Sequence, residues 1–248
     1  MNIKETSSAI HSLEIQGAEN ISIAALQALK SVVSQSKAKR KQELLQELEH
    51  ATAQLFKVRP TEPEMRNYCN AVLHFLHEFQ GEDLQTIKHA VRENIEHALL
   101  KQKERKERLI HIAEMFFVHE RKENPLSIYT HCHSSTVTEI IKKIHKKKKV
   151  ILLNTETRPL FQGRKTAQEI AKEGIPVYHF IDAAMIQAIQ KADILLIGAD
   201  AITSEGVYNK IGSELVALVA HHLHKPLYVC ASLWKYDFHH GKIEQREG

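Results

Sequence analysis

The chain has only three cysteines, Cys69, Cys132 and Cys230, an odd number, widely spaced and without a CxxC pair. That usage excludes a disulfide framework and encodes no structural zinc site. No apolar run approaches the roughly 18 residues that a bilayer span requires, so a membrane protein is not expected. The N-terminal stretch MNIKETSSAIHSLEIQG lacks the basic-then-apolar layout of a signal peptide, which points to a cytoplasmic protein. Neither a Walker pattern nor a GxGxxG occurs, which leaves nucleoside triphosphate and dinucleotide binding of those kinds unsupported. Strand-like alternation is missing from the first 120 residues or so.

What is present is the composition of a globular chain: 248 residues, 43% hydrophobic and 26% charged, enough to bury a substantial core. The net charge of +4 is too small to argue for nucleic acid, yet it is unevenly spread. Residues 101–149 hold 13 Lys and Arg against 6 acids, which concentrates the basic excess in the runs 101–108 and 142–149. No aromatics interleave with these lysines to stack on bases, and lysines near helix ends suit the macrodipole, so both runs read as solvated helix surface.

Periodicity divides the chain. Up to about Glu120 apolar residues recur three and four apart, as in Ile87, Val91, Ile95 and Ala98, with Arg59-Pro60-Thr61-Glu62-Pro63 breaking the helices. After Asn124-Pro125 short apolar runs alternate with helical segments. Strands are expected at 126–129, 150–153, 176–180, 194–197 and 227–230, with helices at about 134–145, 166–173, 183–191 and 210–222. Apolar strands alternating with helices imply a parallel sheet covered on both faces. The predicted fold is α/β, a helical N-terminal domain over 1–122 followed by a Rossmann-like domain over 123–248, shortened at its C-terminus.

Ligands of open α/β sheets bind outside the strand carboxyl ends, and here those ends are polar. Cys132 follows a strand and precedes Ser134, a good N-cap; the helix N-terminus then favours the thiolate, while a buried structural cysteine is the plain alternative. Cys69 and Cys230 read as structural. Asp200 closes the apolar run 194–199, where desolvation favours a protonated carboxyl able to donate to a sugar oxygen; a turn-capping aspartate is the alternative. Asn209-Lys210-Ile211-Gly212 opens a helix and joins an amide, a cation and free N–H groups, a combination that suits phosphate. Arg59, Arg158 and Arg164 are candidate phosphate forks. His131 and His133 flank Cys132, but neighbouring strand residues face opposite ways, so no metal is expected there. The remaining histidines, among them His221, His222, His239 and His240, read mostly as surface.

Four stretches, 130–135, 156–164, 198–202 and 209–212, resemble in order the motifs of one superfamily: the initiation factor 2B alpha, beta and delta regulatory subunits with the methylthioribose-1-phosphate and ribose-1,5-bisphosphate isomerases. The resemblance runs from about Ile15 to the C-terminus, and Arg59-Pro60-Thr61 matches the helical part. The isomerases carry a cysteine and an aspartate at the positions of Cys132 and Asp200, and His-Cys-His-Ser is closer to the ribose-1,5-bisphosphate branch. The resemblance implies a metal-independent aldose–ketose isomerase acting on a phosphorylated ribose, without a cofactor. Cys132 would then move the carbon-bound proton and Asp200 a proton among the sugar oxygens. It also implies substrate contacts at Gln16, Gly17, Arg59, Ser134, Ser135, Arg158, Gln162, Asn209, Lys210 and Lys235. Two departures stand out. Gln16-Gly17-Ala18-Glu19-Asn20 replaces the Arg-Gly-Ala-Gly-Arg phosphate loop of the isomerases, which keeps open a non-catalytic regulatory subunit sensing a nucleotide or sugar phosphate. The sequence also stops at Gly248, before a segment that relatives use to complete sheet and dimer. At least a dimer is expected, with Trp234, Tyr236 and Phe238 at the covered surface; a compact monomer with these aromatics folded over the last strand is the alternative.

Overall fold

The computed structural model describes residues 1–81 and 83–238; His239, His240 and the rest of the C-terminal stretch lie outside the described residues. The elements run α1 (Ile3–His11), α2 (Ala18–Gln35), α3 (Lys41–Val58), α4 (Pro63–Glu78), α5 (Leu84–Glu120), β1 (Leu126–Thr130), α6 (Ser135–His145) and β2 (Val150–Thr155). They continue with α7 (Gln162–Ala171), β3 (Val177–Phe180), a 3-10 turn at Asp182–Ala184, α8 (Met185–Gln190), β4 (Ile194–Ile197), β5 (Ala201–Ile202), β6 (Val207–Tyr208), α9 (Ser213–His222), β7 (Leu227–Val229) and a 3-10 turn at Leu233–Lys235. None of the described helices is long and apolar enough to cross a membrane. Among the described residues contacts group into two compact units, one of residues 1–104, 200–208 and 233–238, the other of Arg105–Ala199 and Asn209–Ser232.

The first unit is helical because its apolar residues recur at helical spacing. Ile21, Ala25, Leu29 and Val33 of α2, Leu44, Leu48 and Leu55 of α3, Met65, Val72 and Leu76 of α4, and Ile87, Val91 and Ile95 of α5 meet in one core. Each fully buried aliphatic side chain contributes about 1.5–3 kcal/mol. A capping box starts α1: Asn2 Oδ1 accepts the Glu5 N–H and Glu5 Oε2 accepts the Asn2 N–H, both at 2.9 Å. Pro63 opens α4, where its missing donor costs nothing. Two short segments join these helices. β5 and β6 form an antiparallel hairpin, too short to show as alternation in the sequence. The stretch after Leu233 is clipped to α4: Trp234 stacks on Tyr68 with centroids 4.1 Å apart, and Asn67 Nδ2 donates to the carbonyls of Trp234 and Tyr236. Arg66 also pairs with Asp237 at 2.5 Å, the carboxylate being almost fully buried.

The second unit is a parallel sheet in the order β3-β2-β1-β4-β7. Ile128 pairs with Leu152 on one side and Ile194 on the other, and Leu196 pairs with Tyr228. Alternate strand residues serve opposite faces. Ile128, Leu152, Ile194 and Leu196 pack with α6, α7 and the end of α5, whereas Tyr129, Leu153 and Leu195 pack with α8 and α9. The chain lays β2 and β3 to one side of β1, then β4 and β7 to the other. The topological switch point therefore falls between the carboxyl ends of β1 and β4. All five expected strands are found. The edge strand β3 departs from the apolar expectation, since Tyr178 is 57% exposed.

Glycine is scarce, 9 residues in 248, and lysine takes over part of its usual role at helix ends. Lys41 Nζ donates to the carbonyls of His77 and Phe79 at the end of α4, and Lys88 Nζ to that of Ser36, which caps α2. In the sheet unit, Lys148 reaches the Arg121 carbonyl just past α5, and Lys225 the Ala192 carbonyl just past α8. These cations satisfy carbonyls that the helices leave open and oppose the negative end of the dipole.

Candidate functional site

In the sheet unit the candidate residues lie on three turns at the carboxyl edge. The first carries Cys132, whose φ of 69° is left-handed, a conformation that costs a non-glycine residue about 1–2 kcal/mol. Its peptide is held on both sides: the Cys132 N–H donates to Thr157 Oγ1 at 3.0 Å, and its carbonyl accepts from Thr166 Oγ1 at 2.9 Å. Because the Thr166 hydroxyl spends its proton on that carbonyl, it must accept from His133 Nδ1, 3.0 Å away, which fixes the histidine tautomer. Ser134 caps α6 as expected, accepting the Val137 N–H, and Lys106 Nζ on α5 donates to Ser135 Oγ at 3.1 Å. Gly198, past β4, keeps room for this cap: a Cβ there would stand 2.9 Å from Ser134 Oγ.

The second turn follows β2. Thr157 also has a left-handed φ, of 58°, unusual for a β-branched residue. It is held by Asp182, whose carboxylate accepts the Thr157 N–H at 2.9 Å and the Arg158 N–H at 2.8 Å. Partial burial works against the Asp182 carboxylate, yet these backbone donors keep its pKa below the usual aspartate value. Arg158 and Arg164 both stand over the Phe161 ring, at 5.0 and 3.9 Å from its centroid, and Arg164 also pairs with Glu156 at 2.9 Å. Gln162 begins α7, and beside it Gly163 is required: a Cβ would lie 1.8 Å from the Thr155 carbonyl oxygen.

The third turn is Asn209–Gly212, where Asn209 Nδ2 donates to Ser213 Oγ at 2.9 Å and Lys210 is buried. His131 pins it. One ring nitrogen, Nε2, lies 2.8 Å from the Ile211 carbonyl and must be the donor; Nδ1 then accepts from the Thr155 hydroxyl at 3.0 Å. Burial lowers the His131 pKa, so the ring is neutral and both nitrogens are engaged. Gly212 has a φ of 95° and faces the ring, where a Cβ would approach Nε2 to 2.8 Å. His131 therefore ties the Cys132 turn to the turn that carries Lys210.

In the helical unit the candidates fall into two places. Gln16 and Gly17 are exposed before α2, with Gly17 at φ 84° as its N-cap and Gln16 Nε2 donating to the Leu13 carbonyl. Arg59, Asp200 and Lys235 instead share one buried neighbour, Glu62, whose carboxyl feels the charge of all three. Lys235 Nζ is 4.0 Å from Glu64 Oε2, and the Asp200 N–H donates to the Tyr208 carbonyl as the hairpin begins. Burial, seconded by Asp200, pushes the Glu62 pKa up to about 8 against the opposing pull of Arg59 and Lys235.

Residues 14–245 match the model of the Initiation factor 2 subunit family. The chain belongs to that family. The chain is 32% identical over 236 residues to the ribose 1,5-bisphosphate isomerase of Pyrococcus furiosus, covering 94% of this chain and 71% of that one. A protein of the same name from Thermococcus kodakarensis is 34% identical over 222 residues, 88% of this chain and 67% of its own. Among solved structures, the translation initiation factor eIF-2B of Pyrococcus horikoshii superposes with a TM-score of 0.78 at 25% identity, over 94% of this chain and 79% of that chain. The 5-methylthioribose 1-phosphate isomerase of the same organism gives 0.77 at 26% identity, over 95% and 68%. The family assignment and fold inferred from the four motifs are thus borne out.

Thr166, Lys106, Glu62 and the strut role of His131 were not singled out by sequence reasoning; Thr157 and Asp182 were placed among the polar strand ends, but not the bond between them. Thr157 sits inside a recognised motif, and a β-branched residue between Glu156 and Arg158 gives no hint of its left-handed backbone. Glu62 was read only as part of a helix break.

Proposed function

We propose that this family member is an aldose–ketose isomerase of ribose 1-phosphates, with ribose 1,5-bisphosphate the first substrate to test. The sugar-phosphate isomerase class rests on the named relatives; the substrate and the roles of the residues are our reading of the chemistry. In such a reaction the bond from C1 to the ring oxygen breaks and that oxygen takes a proton. The C2 proton leaves and C1 gains one, and loss of the O2 proton completes the C2 ketone. Cys132 is assigned the carbon-bound proton and Asp200 the oxygen-bound protons. Ser134, Ser135, Arg158, Gln162, Asn209 and Lys210, with Gln16, Gly17, Arg59 and Lys235 from the helical unit, are assigned to substrate binding.

The observation that best supports this reading is the Cys132 turn, a left-handed cysteine at the sheet's switch point with both sides of its peptide held by threonine hydroxyls. Strained, over-determined backbone of this kind concentrates at functional sites. Cys132→Ser and Asp200→Asn should each lower turnover of ribose 1,5-bisphosphate to the ketose, followed by NMR, by about 10²–10⁴-fold with the fold retained. Full activity in either variant rejects its role. No turnover of any ribose 1-phosphate by the unaltered protein rejects the enzyme. The second reading, a regulatory subunit that binds a nucleotide or sugar phosphate without turnover, is favoured by the acid in the first turn of α2, Glu19, where an anion would otherwise be welcome. AMP binding without catalysis would support it. A homo-oligomer, at least a dimer, is proposed for either reading, and light scattering across a concentration series tests it.

A further inference from the structure

The neutral ring of His133 has one proton and two acceptors for it. Its Nδ1 stands 3.0 Å from Thr166 Oγ1 and its Nε2 3.7 Å from Glu169 Oε2, both on α7 and both within the sheet unit. The charged groups that face the ring are Glu169 and Lys165 of α7 and Lys142 of α6. Burial, joined by the two lysines against the pull of Glu169, holds its pKa below the ordinary histidine value, so near neutrality it donates through one nitrogen only. Where that proton sits decides what the Thr166 hydroxyl can do. On Nδ1 it is given to Thr166, whose hydroxyl then donates to the Cys132 carbonyl at 2.9 Å. On Nε2 it is given towards Glu169; Nδ1 becomes an acceptor, takes the hydroxyl proton, and the carbonyl of the left-handed Cys132 is released. A carboxylate is the stronger acceptor, so an uncommitted Glu169 would draw the proton to Nε2. Glu169 is committed to Lys142, whose Nζ lies 2.8 Å from Glu169 Oε1. Glu139 at 3.0 Å and Glu173 at 3.8 Å hold the same ammonium in place, and its side chain is only 16% exposed.

We propose that His133 is a positioning residue for Cys132, its proton kept on Nδ1 so that the Thr166 hydroxyl holds the Cys132 carbonyl, and that Lys142 sets this choice by occupying Glu169. The path runs from Lys142 through Glu169, His133 and Thr166 to the Cys132 peptide, each step a printed distance of one hydrogen bond or ion pair in the sheet unit. Its effect on chemistry passes through the placement of the Cys132 thiol, because the peptide it holds is the one whose backbone is left-handed.

The kinetic consequence rests on the role proposed for Cys132; the spectroscopic test does not. Cys132-His133 is the sole cysteine–histidine step in the sequence, so carbonyl-¹³C cysteine with ¹⁵N histidine in the full-length protein picks out the Cys132 carbonyl by NMR. The measurement is made at about pH 8, above the ordinary histidine range. Thr166→Val should move that carbonyl carbon upfield, as a lost hydrogen bond does, and Lys142→Met should move it the same way. Combining Lys142→Met with Glu169→Gln should abolish the Lys142→Met shift, since a neutral amide no longer draws the proton. A carbonyl unmoved by Lys142→Met, or a shift that persists without the Glu169 charge, overturns the proposal. The ring ¹⁵N signals of His133, assigned with His133→Asn, should show the Nδ1–H tautomer in the unaltered protein; an Nε2–H ring overturns the proposal as well. Where Lys142→Met does not fold, Lys142→Gln takes its place. With ribose 1,5-bisphosphate, Thr166→Val and His133→Gln should each lower kcat about tenfold with KM little changed, the loss of roughly one hydrogen bond in the transition state. Thr166→Ser keeps the hydroxyl and His133→Asn keeps a donor at the place of Nδ1, so both should recover most of that activity. Equal losses in the Asn and Gln variants overturn the positioning role. No turnover in the unaltered protein, with the carbonyl shifts as expected, sinks the isomerase reading and leaves the hold on the Cys132 turn standing.

Discussion

Replacing Gly212 with alanine tests whether His131 really couples two turns of the sheet unit. The backbone at 212, with φ at 95°, penalises an L side chain by about 1–2 kcal/mol. The added Cβ also stands 2.8 Å from His131 Nε2, so the ring must withdraw from the Ile211 carbonyl and forfeit a hydrogen bond worth about 0.5–1.5 kcal/mol. Less freedom in the unfolded chain offsets about 0.4–1 kcal/mol, which leaves a loss of about 0.5–3 kcal/mol. The fold supplies its own control. Gly174 has a similar φ of 76° but nothing within 4 Å of its would-be Cβ, so Gly174→Ala reports backbone strain alone. Urea unfolding of both variants, alone and combined with His131→Ala, separates the parts. Gly212→Ala should cost more than Gly174→Ala in the parent and no more than it in the His131→Ala background. Equal costs in the parent would refute the strut.

Two further outcomes are expected. Under native conditions iodoacetamide should modify Cys132 before Cys69 or Cys230, since both of those are buried with thiols pushed up to about 12 by desolvation, and peptide mapping reads the order; early labelling of Cys69 would contradict the packing of α4. Asp182 makes the turn after β2 acid-sensitive: its folded pKa lies below the unfolded 3.8, so its stabilisation is present above that value and fades as pH falls through the folded pKa. Asp182→Asn should therefore lower the urea midpoint at about pH 6 by a difference that shrinks as the pH falls below 3.8, and a difference that stays constant down an acid series would show that charge is not what holds the turn.

The parts of the molecule that were legible from sequence are those set by periodicity and by the residue types at strand ends. Ile87, Val91 and Ile95 marked a buried helix face, and the runs ending at Tyr129, Leu153 and Ile197 marked the sheet. Ser134 announced its own capping role. The hidden parts depend on pairs far apart in sequence. Nothing near Asp182 signals that its carboxylate will hold Thr157, 25 residues away. Nothing near Asn67 signals that its amide will hold the backbone around Trp234, 167 residues on. That clip gives Trp234 a stacking partner in Tyr68, within the helical unit. Glu62 was invisible for another reason: its character comes from burial, which a residue's neighbours in sequence do not report.

The lysines that close helix ends give ordinary surface chemistry an unexpected reach. Acetylation or carbamylation of Lys41, Lys88, Lys148 or Lys225 would remove the charge and leave one N–H on each Nζ, so Lys41 could no longer serve both the His77 and Phe79 carbonyls, and the bonds at all four element ends would lose their charge assistance. Reductive methylation keeps the charge and is the gentler label. Amine-directed crosslinkers, biotin tags and random coupling to a support all belong to the first class. For this protein they are perturbants of the scaffold, and a preparation immobilised through its lysines is not the same molecule as the one in solution.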